Sequence, residues 1–420
     1  MARILADLTP LRRHRDFRRL WLGQMVSGLG SQLTIVGVAF QAYLLTRSTL
    51  VVGLVSLAQL GPLLVGSLWG GAVADSMDRR RLLLLAQGAL AATSAGLAVN
   101  ATLDRPRLWP LFVLTAVAAA GQGVDWPTRR AAVAMLVPAE ELPAALALEQ
   151  IIFQLAVVVG PAAAGLLISW VGLSVVFWLD VVSFGGAFIA VVLLPPLLPQ
   201  GRAPGSGLAS VGEGLRYLKG QRLLAATYLI DLDAMIFGMP RAVFPALAIS
   251  AFGGGAGTLG LLYSAPGVGA LAGAVLTGWV GRVRHQGRAV VGAVVLWGGA
   301  IAGFGVVRVL WIALGLLAVA GAADVVSAVF RGSIQQATVP EHLQGRLSGV
   351  YIGVVTGGPR LGDAEAGGAA SIGGPRFAVW SGGLACIVGV GFLVWRVPEL
   401  WRQVAPVGTI AEIAEGGEMA

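Results

Sequence analysis

Charged residues are scarce: Asp, Glu, Lys and Arg make up 12% of the 420 residues, against about 25% in an ordinary soluble domain. A soluble globular fold is thereby excluded. Lysine is scarcer still. The single one, Lys219, is followed by glycine rather than by Ser or Thr, so no G-x-x-x-x-G-K-[ST] phosphate loop for nucleotide hydrolysis is present. One cysteine, Cys386, forbids an intrachain disulfide and any site built from several thiolates. The three histidines, His14, His285 and His342, all fall in polar stretches outside the apolar segments. No Ser/His or paired-Asp arrangement has catalytic spacing, so the chain reads as a non-enzyme without cofactor or metal.

What fills the chain instead is apolar: 56% hydrophobic residues, a mean hydropathy of +0.81 and 61 glycines. A hydrocarbon core of about 30 Å takes roughly 20 helical residues to cross. Continuous apolar runs select helices over the alternating pattern of barrel strands. Twelve such segments lie near 20–45, 50–74, 82–103, 108–134, 144–169, 173–194, 223–249, 257–281, 289–307, 310–330, 347–370 and 377–397. The expectation is an all-α membrane protein with twelve transmembrane helices.

The net charge of +8 would also suit a nucleic-acid binder, but its distribution decides otherwise. With Met1 inside, 22 of the 29 Lys and Arg residues fall on the cytoplasmic side, 5 outside and 2 within the membrane. That is the positive-inside asymmetry, and no nucleic-acid partner is expected. Both termini are placed in the cytoplasm, and 28 Arg against one Lys with abundant Ala and Gly points to the inner membrane of a GC-rich bacterium. The basic N-terminus precedes an apolar stretch too long for a signal-peptide core, so it reads as an uncleaved first span.

A Pro- and Gly-rich stretch splits the spans six and six. The expected domains are an N-terminal bundle over 1–194, a cytoplasmic linker with an amphipathic helix over 195–222, a C-terminal bundle over 223–398 and a tail over 399–420. The halves echo each other. Asp125 with Arg129 and Arg130 corresponds to Asp324 with Arg331, Val137-Pro138 to Val339-Pro340, and Gly160-Pro161 to Gly358-Pro359. Two similar six-span halves are the mark of a transporter that alternates access, with the substrate path at the repeat interface.

Three motifs add detail. The run Gly71 to Arg81, G-A-V-A-D-S-M-D-R-R-R, joins spans two and three almost without spacer. Gly71 permits close helix approach, Asp75 can face a helix N-terminus or an Arg, and Arg79 and Arg80 anchor the turn on the cytoplasmic leaflet. Span five carries G-P-A-A-A-G from Gly160 to Gly165, where Pro161 removes one helical hydrogen bond and kinks the span. A third block runs from Gly321 to Gly367 and includes V-P-E-H-L-Q-G-R-L-S and G-G-P-R-L-G-D-A-E-A-G.

With these motifs the whole chain resembles the major facilitator superfamily, in the drug-efflux branch that includes the enterobactin exporter and macrolide efflux proteins. The resemblance implies two pseudo-symmetric six-helix bundles. It implies a cytoplasmic gate loop at Gly71, Asp75, Arg79 and Arg80, read as an inter-domain latch whose candidate partners are Arg129 or Arg130 and the start of span eleven near Arg346; Ser76 and Asp78 depart from the superfamily pattern. It also implies an antiporter-type kink at Gly160, Pro161 and Gly165, with Ala164 where the family usually has Gly.

Ionisable side chains within spans are costly and mark function or pairing. Asp233, Asp324 and Glu365 are the candidates for carrying protons. Arg241, Arg360 and Asp363 are their intramembrane charge partners; Arg360 and Asp363, three apart on one face, can pair. Asp231 adds a further charge on span seven, and Asp125, Glu149 and Asp180, nearer span ends, read as structural. Gln24, Gln154, Tyr228, Phe237, Tyr263 and Tyr351 are candidate cavity residues, an apolar lining with sparse hydrogen-bonding groups. The expected function is proton-coupled antiport of a lipophilic or amphipathic small molecule, drug or siderophore, by a monomer surrounded by membrane lipids. The alternatives are an uptake permease, a lipid transporter, or a receptor or scaffold of the same fold.

Overall fold

A computed structural model describes residues 7–74, 76–198, 208–276 and 283–404. Those residues fold into helices without a strand among them. In chain order the elements are α1 Thr9–Arg13, α2 Arg15–Thr46, α3 Thr49–Ala58, α4 Leu60–Ala74, α5 Arg79–Thr102, α6 Trp109–Leu136, α7 Leu142–Val171 and α8 Leu173–Val192. Then come α9 Leu208–Gly220, within the stretch read as the linker, α10 Arg222–Phe237, α11 Phe244–Ala246, α12 Ala256–Val275, α13 Gln286–Val306, α14 Leu310–Thr338, α15 Glu341–Gly373, α16 Pro375–Arg396 and α17 Pro398–Arg402.

Ten helical stretches among the described residues are long and apolar enough to cross a membrane. The fourth and eleventh expected spans correspond to α6 and α15, which are long but carry internal charges, Asp125, Arg129 and Arg130 on one and Arg360, Asp363 and Glu365 on the other. Local chemistry sets the ends. Arg47 closes α2 in the left-handed region at φ 53°, and the Ser48 hydroxyl caps the next helix by accepting from Val51 N at 3.4 Å.

The seventh expected span, read as continuous over 223–249, is broken. Helix α10 stops at Phe237, Gly238 to Pro240 is not helical, and the chain resumes as a 3-10 turn at Arg241–Val243, α11, and a π-helical turn at Leu247–Ala251. Pro240 has no N–H to continue the ladder. The Trp297 indole donates to the freed Gly238 carbonyl at 3.0 Å.

The chain divides into two compact units: Met1–Ala209 with Phe244–Ser264, and Ser210–Val243 with Ala265–Ala420. In the first, α2 packs on α7 and α8, α5 on α6 and α8, and α4 on α6. In the second, α10 packs on α15 and α16, and α13 on α14 and α16, which is the same scheme repeated. The turn before α8 and the turn before α16 also match: Gly172 and Gly374, both at φ 86°, occupy a conformation that side chains disfavour.

Close packing of α4 on α6 depends on small residues. A Cβ at Gly70 would lie 2.6 Å from Val124 Cα, whereas one at Gly71 would meet no described atom within 4 Å. The close approach is therefore made by Gly70, one residue and about 100° around the helix from Gly71. Gly71→Ala should leave the melting temperature of the detergent-solubilised protein unchanged, while Gly70→Ala lowers it by several degrees, consistent with an overpacking cost of about 1–3 kcal/mol.

Candidate functional site

The loop between α4 and α5 is held by its own charged residues. Asp75 lies outside the described residues. Asp78, where the superfamily pattern has glycine, caps α5: its carboxylate accepts from Arg80 N at 3.0 Å and from Leu197 N at 2.9 Å. Arg79 N donates to Leu197 O at 3.1 Å, and the Arg79 guanidinium reaches the Met135 sulfur. Arg80 donates to the Val192 carbonyl at 2.6 Å and the Val191 carbonyl at 3.4 Å, closing the C-terminus of α8, where cations suit the helix dipole. The loop thus clasps the end of α8 and the start of the linker. Arg129 makes a two-point ion pair with Asp125, at 2.9 and 3.0 Å, on the same face of α6, and Gln87 of α5 donates to that carboxylate at 2.8 Å. Arg130 is exposed.

In the second unit the same position is built across helices. Arg331 of α14 is ion-paired with Asp231 of α10 and lies 4.0 Å from Asp324, two turns back on its own helix. Arg331 and Asp231 are buried, while the Asp324 side chain is one-third exposed. One turn on, Gln335 donates to the Thr227 hydroxyl at 3.3 Å, a second tie between α14 and α10.

Asp233 points to a different neighbour. A Cβ at Gly389 of α16 would collide with its carboxylate, and its Oδ2 is buried without a hydrogen-bond partner among the described residues. Arg241 sits in the break after α10, where the 3-10 turn packs on α15. On α15, Arg360 donates to the Thr356 carbonyl at 2.9 Å, and both Arg241 and Asp363 lie within its electrostatic reach. Glu365 is partly buried on the same helix. Asp231, Asp324 and Arg331 therefore form one cluster, and Arg241, Arg360 and Asp363 a second around the break.

The G-P-A-A-A-G segment lies inside α7, which continues through Pro161. A Cβ at Gly160 would press on Gln32 of α2 at 2.5 Å. Gly165 faces Gly260 of α12, the Cα of each within about 3 Å of a Cβ on the other. Of the expected cavity residues, Tyr228 is buried among Leu218, Leu224, Val339, Leu347 and Val350, its hydroxyl 3.5 Å from Leu347 O. Tyr263 stacks edge-on against Phe244 at 5.2 Å. Gln24 Oε1 is buried without a partner, Gln154 and Phe237 are partly buried, and Tyr351 is 41% exposed.

Sequence reasoning passed over Asp78 as a helix cap and Asp231 as the partner of Arg331. A signal existed for the first, since Asp directly before a helix start is a capping residue. A partial one existed for the second: Asp324 and Arg331 are seven apart and share a face, which marked that stripe of α14 as charged.

The duplicated packing scheme, the charged loop after α4 and the buried charges within the bundles define a multi-pass integral membrane transporter of the major facilitator type. The chain belongs to the transmembrane secretion effector family of that superfamily, whose model matches residues 5–407. It is 29% identical over 413 residues to the enterobactin exporter EntS of Salmonella paratyphi A, covering 96% of this chain and 98% of that protein. The enterobactin exporter EntS of Citrobacter koseri is 28% identical over 408 residues, covering 96% and 97%. Among solved structures, a peptide transporter POT superposes with a TM-score of 0.75 at 11% identity, over 93% of this chain and 95% of that one. The nucleoside transporter NupG superposes with a TM-score of 0.71 at 11% identity, over 92% and 100%.

Proposed function

We propose that this protein is a proton-coupled exporter of a lipophilic or amphipathic small molecule of the siderophore class, working as a monomer with twelve spans by alternating access. In this reading it sits in a bacterial inner membrane with both termini in the cytoplasm. The observation that carries the coupling is Arg331 between two carboxyl groups, Asp231 and Asp324. One guanidinium thus faces two carboxyl groups, and an ionisable side chain within a membrane bundle must be paired or serve a function. Asp231 is the buried partner, and the partly exposed Asp324 is the group that exchanges its proton with water. Moving α10 relative to α14 alters the balance of the cluster, which links proton transfer to conformation. Asp233 and Glu365, which take part in no ion pair among the described residues, are secondary candidates. The relatives that export enterobactin support the direction and the substrate class.

The test uses proteoliposomes with an imposed pH gradient and enterobactin or a lipophilic dye as probe. Asp324→Asn is expected to reduce gradient-driven accumulation at least tenfold, a change of about 1.4 kcal/mol or more in the driven step, while exchange without a gradient persists. Accumulation that survives a protonophore would remove proton coupling. Flux only into the cytoplasm would favour an uptake permease.

A further inference from the structure

An aromatic pair in the first unit plays no part in the clusters above. Trp126 of α6 and Phe153 of α7 meet edge to face, with ring centroids 6.2 Å apart and an interplanar angle of 80°. Both stay open, Trp126 at 57% exposure and Phe153 at 44%. One turn along α6 from Trp126, the exposed Arg130 takes part in no ion pair among the described residues. Beside Phe153 on α7 stand the amides of Gln150, exposed, and Gln154, partly buried.

This face is turned away from lipid. On α7 the exposed apolar residues Ile151, Leu155 and Val159 recur at four-residue spacing, and Phe153, two residues from each of the first two, points about 160° away from both. On α6 the exposed Val113 and Val117 lie roughly 140° and 180° around the helix from Trp126. The pair sits about 15 Å along each axis from the ends at Leu136 of α6 and Leu142 of α7, too deep for an interfacial tryptophan anchor. Arg130, about 9 Å inside the same end of α6, would be costly against hydrocarbon. The stripe therefore faces water.

We propose that Trp126, Phe153 and Arg130 form a binding site for an aromatic acid, a planar ring that carries a carboxylate or a similarly acidic oxygen. The two rings leave open faces at a steep angle to each other, against which a third ring can stack. The planar guanidinium of Arg130 matches a carboxylate at two points, and the amides of Gln150 and Gln154 suit further polar substituents. Glu149, one turn before Phe153, is in electrostatic reach of Arg129 and Arg130. Arg129 is committed to Asp125, so Arg130 is the cation left to a ligand, and the charge of Glu149 opposes that of the acid. That the bound acid is cargo rests on the reading of the protein as an exporter of amphipathic molecules; binding itself is read without transport.

The test is equilibrium binding of radiolabelled 2-naphthoate to the full-length detergent-purified protein. Binding is expected to saturate. Unlabelled 2-naphthoate should displace the label at least tenfold more effectively than 2-naphthylmethanol, which lacks the charge, or cyclohexanecarboxylate, which lacks the aromatic ring. Trp126→Ala and Phe153→Ala should each weaken binding about fivefold or more, and Arg130→Gln should remove the preference for the acid over the alcohol. Glu149→Gln should leave binding unchanged or tighten it. Trp126→Leu and Phe153→Leu, which keep apolar bulk, stand in for an alanine variant that does not fold. No saturable binding, equal displacement by the three compounds, or aromatic and arginine variants that bind as the wild type does would overturn the proposal. Failure here with gradient-driven export intact removes this site alone, and loss of proton coupling in proteoliposomes leaves the site standing.

Discussion

Replacing Arg331 with leucine is expected to destabilise the protein by about 3–5 kcal/mol, because removing one partner of a buried pair leaves the other charge uncompensated. The loss falls on Asp231, which is buried against Arg331, and on Asp324 4.0 Å away, so two carboxyl groups would share the core of the second unit with no guanidinium between them. Asp231→Asn is expected to cost less, since Asp324 remains to balance Arg331. The double variant Arg331→Leu with Asp231→Asn should recover part of the single-variant loss, and thermal unfolding in detergent reads the difference as a double-mutant cycle. A loss in the double variant equal to the sum of the two single losses would mean that the pair is not coupled.

The second large effect is steric. Gly165→Leu should prevent α7 and α12 from packing in the first unit, with loss of folded protein on solubilisation. A Cβ alone at Gly165 would stand 2.9 Å from Gly260 Cα, and backbone cannot move aside as a side chain can. Gly165→Ala is accordingly expected to be intermediate, with an overpacking cost of about 1–3 kcal/mol. Gly185→Leu on α8 is the control: a Cβ there meets no described atom within 4 Å, so the melting temperature should hold.

The positions of the helices were legible in the sequence because length and continuous hydropathy alone decide whether a segment can span a bilayer. The repeat was legible for the same reason that it is visible in the structure: Gly172 and Gly374 make one turn twice, 202 residues apart, close to the spacing of the Gly-Pro pairs at Gly160 and Gly358. The break after Phe237 was spelled out as Gly238-Met239-Pro240, yet span-length averaging of hydropathy passes over three residues.

Side-chain partners were less legible, since they depend on which way each helix is turned. One residue separates Gly70, which presses on Val124, from Gly71, which presses on nothing described. Asp231 and Asp233 are two apart on α10 and so point about 200° apart, one toward Arg331 and the other toward Gly389. Hydropathy carries no information about that rotation. The hydroxyls that donate to Asp180 were hidden for another reason: they belong to Thr34, Ser94 and Ser183, and only the packing of α2, α5 and α8 brings them together.

The most direct measurement of the proposed coupling is proton movement caused by the substrate itself. Proteoliposomes loaded with enterobactin and an internal pH dye, with no initial pH gradient, are diluted into substrate-free buffer. Exchange of substrate for protons predicts that the lumen acidifies as enterobactin leaves, whichever way the protein is inserted, and that Asp324→Asn abolishes the acidification. Substrate efflux through the wild-type protein with a constant lumenal pH would contradict it.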